Sequence, residues 1–172
     1  MRPGMRAAYI SPVTRWAGGL IACGVAVLAG CGGGGSSESA PSGHIAVRSP
    51  AFVDGQTMPR AYTCSGRNVS PPLSWSHVPS GTARVQLQMN DLTAHFLHWT
   101  VTGIDPGTHE VAAGKTPDGG KAAKNDFGKL GYGGQCPPEG DDPHRYAFTV
   151  VALDRTGKVL DRGSLVGTFS RD

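Results

Sequence analysis

Two histidines and one tyrosine carry side chains that could bind an anion. His144 and Tyr146 lie two residues apart at the start of an apolar run, so in a strand both would point to the same face. His98 lies in a second strand-like segment, on the face opposite Trp99. A protonated imidazole donates two N–H groups and a phenol donates one O–H, whereas phosphate oxygens only accept hydrogen bonds. These side chains therefore predict a site for a phosphate-type anion, provided that the fold brings them together.

The same residues also have a structural interpretation. A histidine on a strand is often held by hydrogen bonds to its neighbours, and Tyr146 could be a core tyrosine. The glycine-rich residues 133–136 could add backbone N–H donors to an anion site, which makes Cys136 a further predicted binding residue. Because imidazole titrates near neutrality, such a site predicts that phosphate binding weakens above about pH 7 to 8. Four further histidines lack this context and are expected at the surface: His44, His77, His95 and His109.

Apolar patterns predict the strands that must position these side chains. Polar and apolar residues alternate over residues 84–89 and 97–101, which is typical of strands with one buried face. Residues 146–153 form a continuous apolar run, which predicts a central strand buried on both faces. No segment after Ile45 shows helical periodicity, and residues 116–139 are predicted to form one long loop. The 26 glycines and 13 prolines agree with a turn-rich, mainly β fold.

Length and charge limit the functional classes. The chain has 172 residues, which fits one folded domain. Lys and Arg total 16 and Asp and Glu total 13, but three arginines precede residue 31 and no acid precedes Glu38. The chain after residue 30 is therefore close to neutral, without the positive charge that a nucleic-acid-binding protein needs.

The N-terminal sequence is typical of a bacterial lipoprotein. Three arginines occur before residue 16, and the uncharged residues 16–30 that follow are too few to span a bilayer comfortably. Leu28, Ala29 and Gly30 precede Cys31, which is similar to the lipobox at which a cysteine is lipidated before cleavage. A single uncleaved membrane anchor is the alternative. Both interpretations place the folded part outside the cytoplasm.

The chain is thus predicted to contain a signal peptide over residues 1–30, a lipidated flexible tether over 31–44 and a folded domain over 45–172. Residues 32–43 contain one charge and no large apolar side chain, so they cannot bury enough surface to fold. Several acyl chains on Cys31 would attach the protein stably to a membrane. We expect a membrane-anchored lipoprotein of the bacterial cell envelope that faces the extracytoplasmic side.

Cysteine usage follows from that location. Cys23 would leave with the signal peptide and Cys31 would carry the lipid. Cys64 and Cys136 then remain in an oxidising compartment, where they could form one disulfide. Two buried thiols too far apart to pair are the alternative.

Several strings of residues occur together in one order along residues 46–171. They are Ser49-Pro-Ala-Phe, Asp54-Gly, Pro59, Tyr62-Thr-Cys-Ser-Gly, Asn68-Val-Ser-Pro-Pro-Leu-Ser-Trp75, Phe96-Leu-His-Trp99, Asn125-Asp-Phe-Gly-Lys-Leu-Gly-Tyr132, Cys136-Pro-Pro-Glu-Gly and His144-Arg-Tyr146. This set resembles the phosphatidylethanolamine-binding protein family, in particular its bacterial YbhB/YbcL-like branch, which is often labelled Raf-kinase-inhibitor-like.

The resemblance implies a fold of two β-sheets with Greek-key connections and few short helices. It also implies a small surface pocket that takes anions such as phosphate or phosphorylated head groups. By motif position, the residues of that pocket are Asp91, His98, Pro137, Pro138, His144 and Tyr146. The two cysteines of the bacterial branch fall at Cys64 and Cys136, which favours their pairing.

Two segments depart from the family pattern. The family's Asp-Pro-Asp-Ala-Pro string is reduced to Asn90-Asp-Leu-Thr-Ala94, and Asp91 most resembles its acid. A carboxylate near an anion site makes sense if it holds a histidine protonated and oriented. After Asp154 the chain leads almost at once into a last strand, so a helix that the family places there is expected to be missing.

These observations predict a non-catalytic binding protein without a metal or other cofactor. Its expected partners are a small anion or phosphorylated head group, the membrane through Cys31, and a possible protein partner. Asn125-Asp-Phe-Gly is interpreted as loop architecture, because no other kinase motif accompanies it. One alternative is a protease inhibitor or other interaction factor that presents residues 116–139. The other is a weak hydrolase that uses His98 and His144.

Overall fold

A computed structural model describes residues 44–171. The predicted signal peptide, the lipidation site Cys31 and all of the predicted tether except His44 lie outside these residues. In the described part no helix is long and apolar enough to cross a membrane. It contains one 3-10 helix, Arg60–Tyr62, and eight strands: β1 Ala46–Arg48, β2 Leu73–Ser76, β3 Arg84–Asp91, β4 Phe96–Ile104, β5 Glu110–Val111, β6 Lys121–Ala122, β7 His144–Leu153 and β8 Val159–Phe169.

The strands form two antiparallel sheets, which confirms the predicted two-sheet, mainly β fold. Three strands pair in the order β1-β2-β5, and five pair in the order β6-β4-β3-β7-β8. After β5 and β6, β7 returns to pair with β3, so β3, β4, β6 and β7 have the spatial order of a Greek key. The starts of β4 and β7 thereby lie on either side of the end of β3. The residues predicted to bind the anion are concentrated at this end of the sheet.

The core follows the predicted alternation in β3 but not in β4. Val85, Leu87 and Met89 are fully buried while the residues between them are partly exposed, as the alternation predicts. In β4 the four consecutive residues from His98 to Val101 are all buried, so the expectation of one exposed face is wrong there. A β-bulge at His98 breaks the alternation of β4, and the segment after β6 pairs with the edge of this strand, where Ala123 donates its amide to the Thr100 carbonyl.

Strand β7 lies inside the five-stranded sheet, as predicted. It is buried on both faces only over its first part, from Tyr146 to Phe148, and alternates after that. A tight turn joins it directly to β8: the Asp154 carboxylate accepts the amides of Thr156 and Lys158, and Gly157 takes a positive φ of 86°. The expected absence of a helix between the last two strands therefore holds within the described residues.

Candidate functional site

A small cavity of about 120 Å³ opens where β3 ends and where β4 and β7 begin. Cavities that enclose drug-sized ligands measure roughly 300–1,000 Å³, so this one has room for a small group only. Six of the seven residues that the sequence predicts as ligand-binding line it: Asp91, His98, Cys136, Pro137, Pro138 and His144. The pairing of Asp91 with Phe96 on one side and with Tyr146 on the other brings these distant segments together.

A β-bulge aims His98 into this cavity. The pairing of β3 with β4 moves from Met89 and Trp99 to Asn90 and Leu97, so His98 is one extra residue in β4. Its imidazole packs edge-on against the Tyr146 ring, at 5.3 Å between ring centroids. The prediction that His98 lies on the face opposite Trp99 is therefore wrong: Trp99 pairs with Met89, on the side of the sheet that carries Tyr146, and the bulge turns His98 to that same side.

His144 and Asp91 form a buried pair at the inner wall. The Nδ1 of His144 lies 2.7 Å from Oδ2 of Asp91, and the other carboxylate oxygen accepts the amides of Thr93 and Ala94 at 2.8 and 2.9 Å. Burial alone would raise the pKa of Asp91, but these hydrogen bonds together hold it below its ordinary value. Asp91 is therefore an ionised acceptor, and His144 Nδ1 carries the proton that it accepts. The histidine that Asp91 orients is thus His144.

The second imidazole is oriented by a backbone carbonyl. Nδ1 of His98 lies 2.9 Å from the Gly133 oxygen, and because a carbonyl only accepts, Nδ1 donates and Nε2 is left for a ligand. Burial lowers the pKa of His98, and the Gly133 carbonyl and the Asp91 charge only partly oppose this. At neutral pH His98 is thus mainly neutral, and its free nitrogen is an acceptor rather than a donor.

Tyr146 lies beneath the two histidines and is not part of the cavity lining. Its ring stacks under His144 with 6.3 Å between centroids and meets the edge of His98. The side chain is fully buried, and its hydroxyl has no hydrogen-bond partner in the part of the chain that the structure describes. Burial, followed by the nearby Asp91 charge, raises the pKa of Tyr146 well above its ordinary value, so the phenol keeps its proton.

Two phenylalanines form an aromatic wall that sequence reasoning missed. The rings of Phe96 and Phe127 are 4.7 Å apart, and each also contacts the His98 ring, at 5.0 and 5.3 Å. Ala94 completes the lining. Both phenylalanines stand inside strings that match the family pattern, so the signal was present, but their role depends on where the loop after β6 folds.

The Asn125-Asp-Phe-Gly segment is loop architecture, as predicted. The side-chain amide nitrogen of the buried Asn125 donates to the backbone carbonyls of His98 and Gly131, at 3.3 and 3.0 Å. The Asp126 carboxylate accepts the amide of Leu97 at 2.6 Å. These bonds attach the loop to the start of β4 and thereby hold Phe127 against the cavity.

Two of the expected backbone donors in residues 133–136, the amides of Gly133 and Gly134, are not free to bind an anion. The Gly133 amide donates to the His98 carbonyl at 3.0 Å, and the Gly134 amide donates to Asn68 Oδ1 at 2.7 Å. That prediction is wrong for these two groups, because one amide is bonded to β4 and the other to the Asn68 side chain. Its contribution is the Gly133 carbonyl that orients His98.

A disulfide joins Cys64 to Cys136, as predicted. Its Cα atoms are 5.4 Å apart, and the Cys64 amide donates to the Gln135 carbonyl at 3.0 Å. Since Cys136 and the two prolines that follow it line the cavity, this bond fixes the outer wall to the segment after the 3-10 helix. All four histidines predicted at the surface are exposed: His44, His77, His95 and His109.

Within residues 44–171 no group of three or more His, Cys, Asp or Glu side chains is arranged to hold a metal ion. The cavity instead offers two imidazole nitrogens over a buried carboxylate, inside an apolar rim. Such a set can bind an oxyanion when an imidazole is protonated, and the apolar rim strengthens that attraction by excluding water.

Comparisons with known proteins all give members of one protein family. The family model described as "Phosphatidylethanolamine-binding protein" matches residues 48–170. A Mycobacterium tuberculosis protein named "Putative lipoprotein LppC" is 39% identical over 150 residues, which cover 75% of this chain and 74% of the relative. A UPF0098 protein of Aquifex aeolicus is 36% identical over 159 residues, 78% of this chain and 93% of its own. The crystal structure of Escherichia coli YbcL superposes with a TM-score of 0.70 at 27% identity, over 76% of this chain and 100% of that one.

Proposed function

Because the chain belongs to the phosphatidylethanolamine-binding protein family, we propose that it is a non-catalytic binding protein whose cavity takes a small anion or a phosphorylated head group. One observation carries this proposal: His98 and His144, which are 46 positions apart in the sequence, open into the same 120 Å³ space. The size of the cavity suits a phosphate group and leaves no room for a large substituent inside it.

The hydrogen bonds around Asp91 support binding of an anion despite the negative charge nearby. Both carboxylate oxygens are already used, one by His144 and the other by two backbone amides. The carboxylate therefore acts through His144, whose Nε2 forms no hydrogen bond within residues 44–171 but lies 3.6 Å from the half-exposed Asp141 carboxylate, with which an anion would compete. A protonated imidazole there donates a charge-assisted hydrogen bond to a phosphate oxygen.

The N-terminal sequence and one relative support a proposal about the location of the protein. Cys31 stands at a lipobox-like site, and the relative named as a lipoprotein shares 39% identity with this chain. We propose that the protein is lipidated on Cys31 and faces the extracytoplasmic side of the cell envelope. Labelled palmitate incorporated by the wild type and absent from Cys31→Ala would support this location.

Binding measurements with two probes test the cavity. Isothermal titration of the full-length protein with inorganic phosphate and with O-phosphoethanolamine should show binding of at least one, and tighter binding of the ester would indicate a head group. His144→Gln removes the hydrogen bond between the imidazole and the charged phosphate and should weaken binding by about tenfold to a hundredfold. His98→Gln is the second variant, and the exposed His109→Gln is the matched control. Equal affinities for all four proteins would contradict the proposal.

The Asp91 and His144 pair also favours a second candidate, phosphoester hydrolysis by general base catalysis. Among the described residues that line the cavity there is no hydroxyl or free thiol, because its only cysteine is in the disulfide. A hydrolase would therefore have to activate water directly. Release of phosphate from O-phosphoethanolamine by the wild type, and not by His144→Gln, would establish this alternative.

A further inference from the structure

A second and larger cavity, of about 340 Å³, lies beside the 3-10 helix and the end of β8. Its lining includes the guanidinium-bearing residues Arg60 and Arg171 and the hydroxyl-bearing residues Thr57, Ser65 and Ser170. One acid, Glu139, also lines it. The lining thus has two positive groups and one negative group.

Arg171 is held in place at one side of this cavity. Its Nε donates to the Pro137 carbonyl, and its Nη1 lies 3.4 Å from the Glu139 carboxylate. The Arg171 carbonyl also accepts the Gly140 amide at 3.2 Å. A guanidinium has five N–H groups, so three of them remain for a ligand after these contacts. Because its side chain is only 28% exposed and already ordered, little conformational freedom is lost when it binds.

Arg60 carries a positive charge that no acidic side chain among residues 44–171 balances. It is exposed in the 3-10 helix, and its guanidinium takes part in none of the hydrogen bonds or ion pairs formed among residues 44–171. The helix itself is fixed, because Thr63 donates both its amide and its hydroxyl to the Arg60 carbonyl. The backbone of Arg60 is therefore anchored while its charge is free.

We propose that this cavity is a second anion site, which binds a phosphate group between Arg60 and Arg171. Planar guanidinium groups match phosphate oxygens in pairs, and the three hydroxyls can donate to the oxygens that remain. The volume is nearly three times that of the histidine cavity, so a phosphate ester can enter together with part of its substituent. This site does not depend on the function proposed for the histidine cavity.

The two sites share one structural connection. Arg171 lines the second cavity, and its guanidinium also holds the carbonyl of Pro137, which lines the first. A substitution of Arg171 would therefore disturb both cavities. Arg60 has no such contact, so Arg60→Gln is the clean test, and Arg67→Gln is the matched control because Arg67 is exposed and lines none of the cavities described here.

Backbone amide chemical shifts of the isotopically labelled, full-length protein in mild detergent locate each site separately. Inorganic phosphate should shift the amides of Thr57, Ser65 and Ser170 as one group, apart from any shifts near Ala94 and His98. Arg60→Gln should weaken the phosphate affinity measured from the shifts of Thr57, Ser65 and Ser170 about tenfold, while Arg67→Gln should leave that affinity unchanged. Glycerol phosphate as a second probe distinguishes an ester from the free anion, since tighter binding of the ester identifies an ester site.

Two results would overturn the proposal. If phosphate shifts only the amides near Ala94 and His98, the second site does not exist and the histidine cavity stands by itself. If Arg60→Gln and Arg67→Gln reduce the response equally, phosphate is attracted by surface charge alone. Shifts confined to the group around Ser65 would establish the second site and contradict the function proposed for the first.

Discussion

Substitution of Asp91 by Asn tests the arrangement on which the histidine cavity depends. Asn keeps the shape of the side chain but offers one acceptor oxygen where the carboxylate offers two. In the wild type, one oxygen accepts two backbone amides and the other accepts His144. Whichever way the introduced side-chain amide turns, its NH₂ group faces a donor. Either the amides of Thr93 and Ala94 lose their partner, or His144 must move its proton to Nε2.

The expected cost is about 2 kcal/mol at pH 7, because a hydrogen bond to a charged group contributes roughly 1.5–3 kcal/mol and this one is buried. The pH dependence has a definite sign. Since the pKa of Asp91 is lowered in the folded protein, its contribution is fully present above the ordinary carboxylate range and is lost as the pH falls through the lowered pKa. A protonated Asp91 resembles Asn, so the difference between the two proteins should vanish in acid.

Urea unfolding at a series of pH values between 7 and 3, followed by tryptophan fluorescence, measures this difference. The control is Asp142→Asn, which removes an exposed carboxylate that accepts no hydrogen bond from the described residues. Between pH 7 and about pH 5, the free energy of unfolding of Asp91→Asn should be lower than that of the control. Near pH 3 it should approach the wild-type value. A variant as stable as the control at pH 7, or a difference that persists unchanged at pH 3, would refute the reasoning.

Two further predictions concern the wall of the cavity and its charge. Replacing both Cys64 and Cys136 by Ser should lower the free energy of unfolding by about 4 kcal/mol, because the bond closes a loop across a separation of 72 residues; a loss under 1 kcal/mol in urea unfolding would contradict this. Binding of sulfate, which does not titrate near neutrality, should weaken as the pH rises through the pKa of His98. Because burial lowers the pKa of His98, the midpoint of the binding titration should fall below the ordinary value of about 6.5. That midpoint is lower than the pH 7 to 8 expected from the sequence. Sulfate binding that does not change between pH 5 and 8.5 would contradict this prediction.

The parts of this protein that follow a local pattern could be predicted from the sequence. The alternation in β3 correctly buries Val85, Leu87 and Met89, because that strand has one covered face along its length. The spacing of His144 and Tyr146 correctly places both on one face of β7, as their stacked rings show. These predictions need only the two-residue period of a strand.

The features that depend on contacts between distant segments of the chain could not be predicted from the sequence. A bulge exists only relative to the strand it pairs with, so nothing in residues 97–101 indicates that His98 is the extra residue opposite β3. The use of the Gly133 and Gly134 amides depends in the same way on His98 and Asn68, which are distant in sequence. Long-range pairing decides these groups, and a local pattern carries no information about it.

Tyr146 shows how this limit changes the chemistry assigned to a residue. The sequence predicts that its phenol donates to the anion, alongside the two imidazoles. In the structure its ring supports both histidines from below, and its hydroxyl is sealed from solvent. The residue therefore sets the distance and tilt of the two imidazoles, whatever the ligand is. Since both histidines rest on one rigid ring while separate partners, Asp91 and the Gly133 carbonyl, orient them, the site is held in shape before any anion arrives.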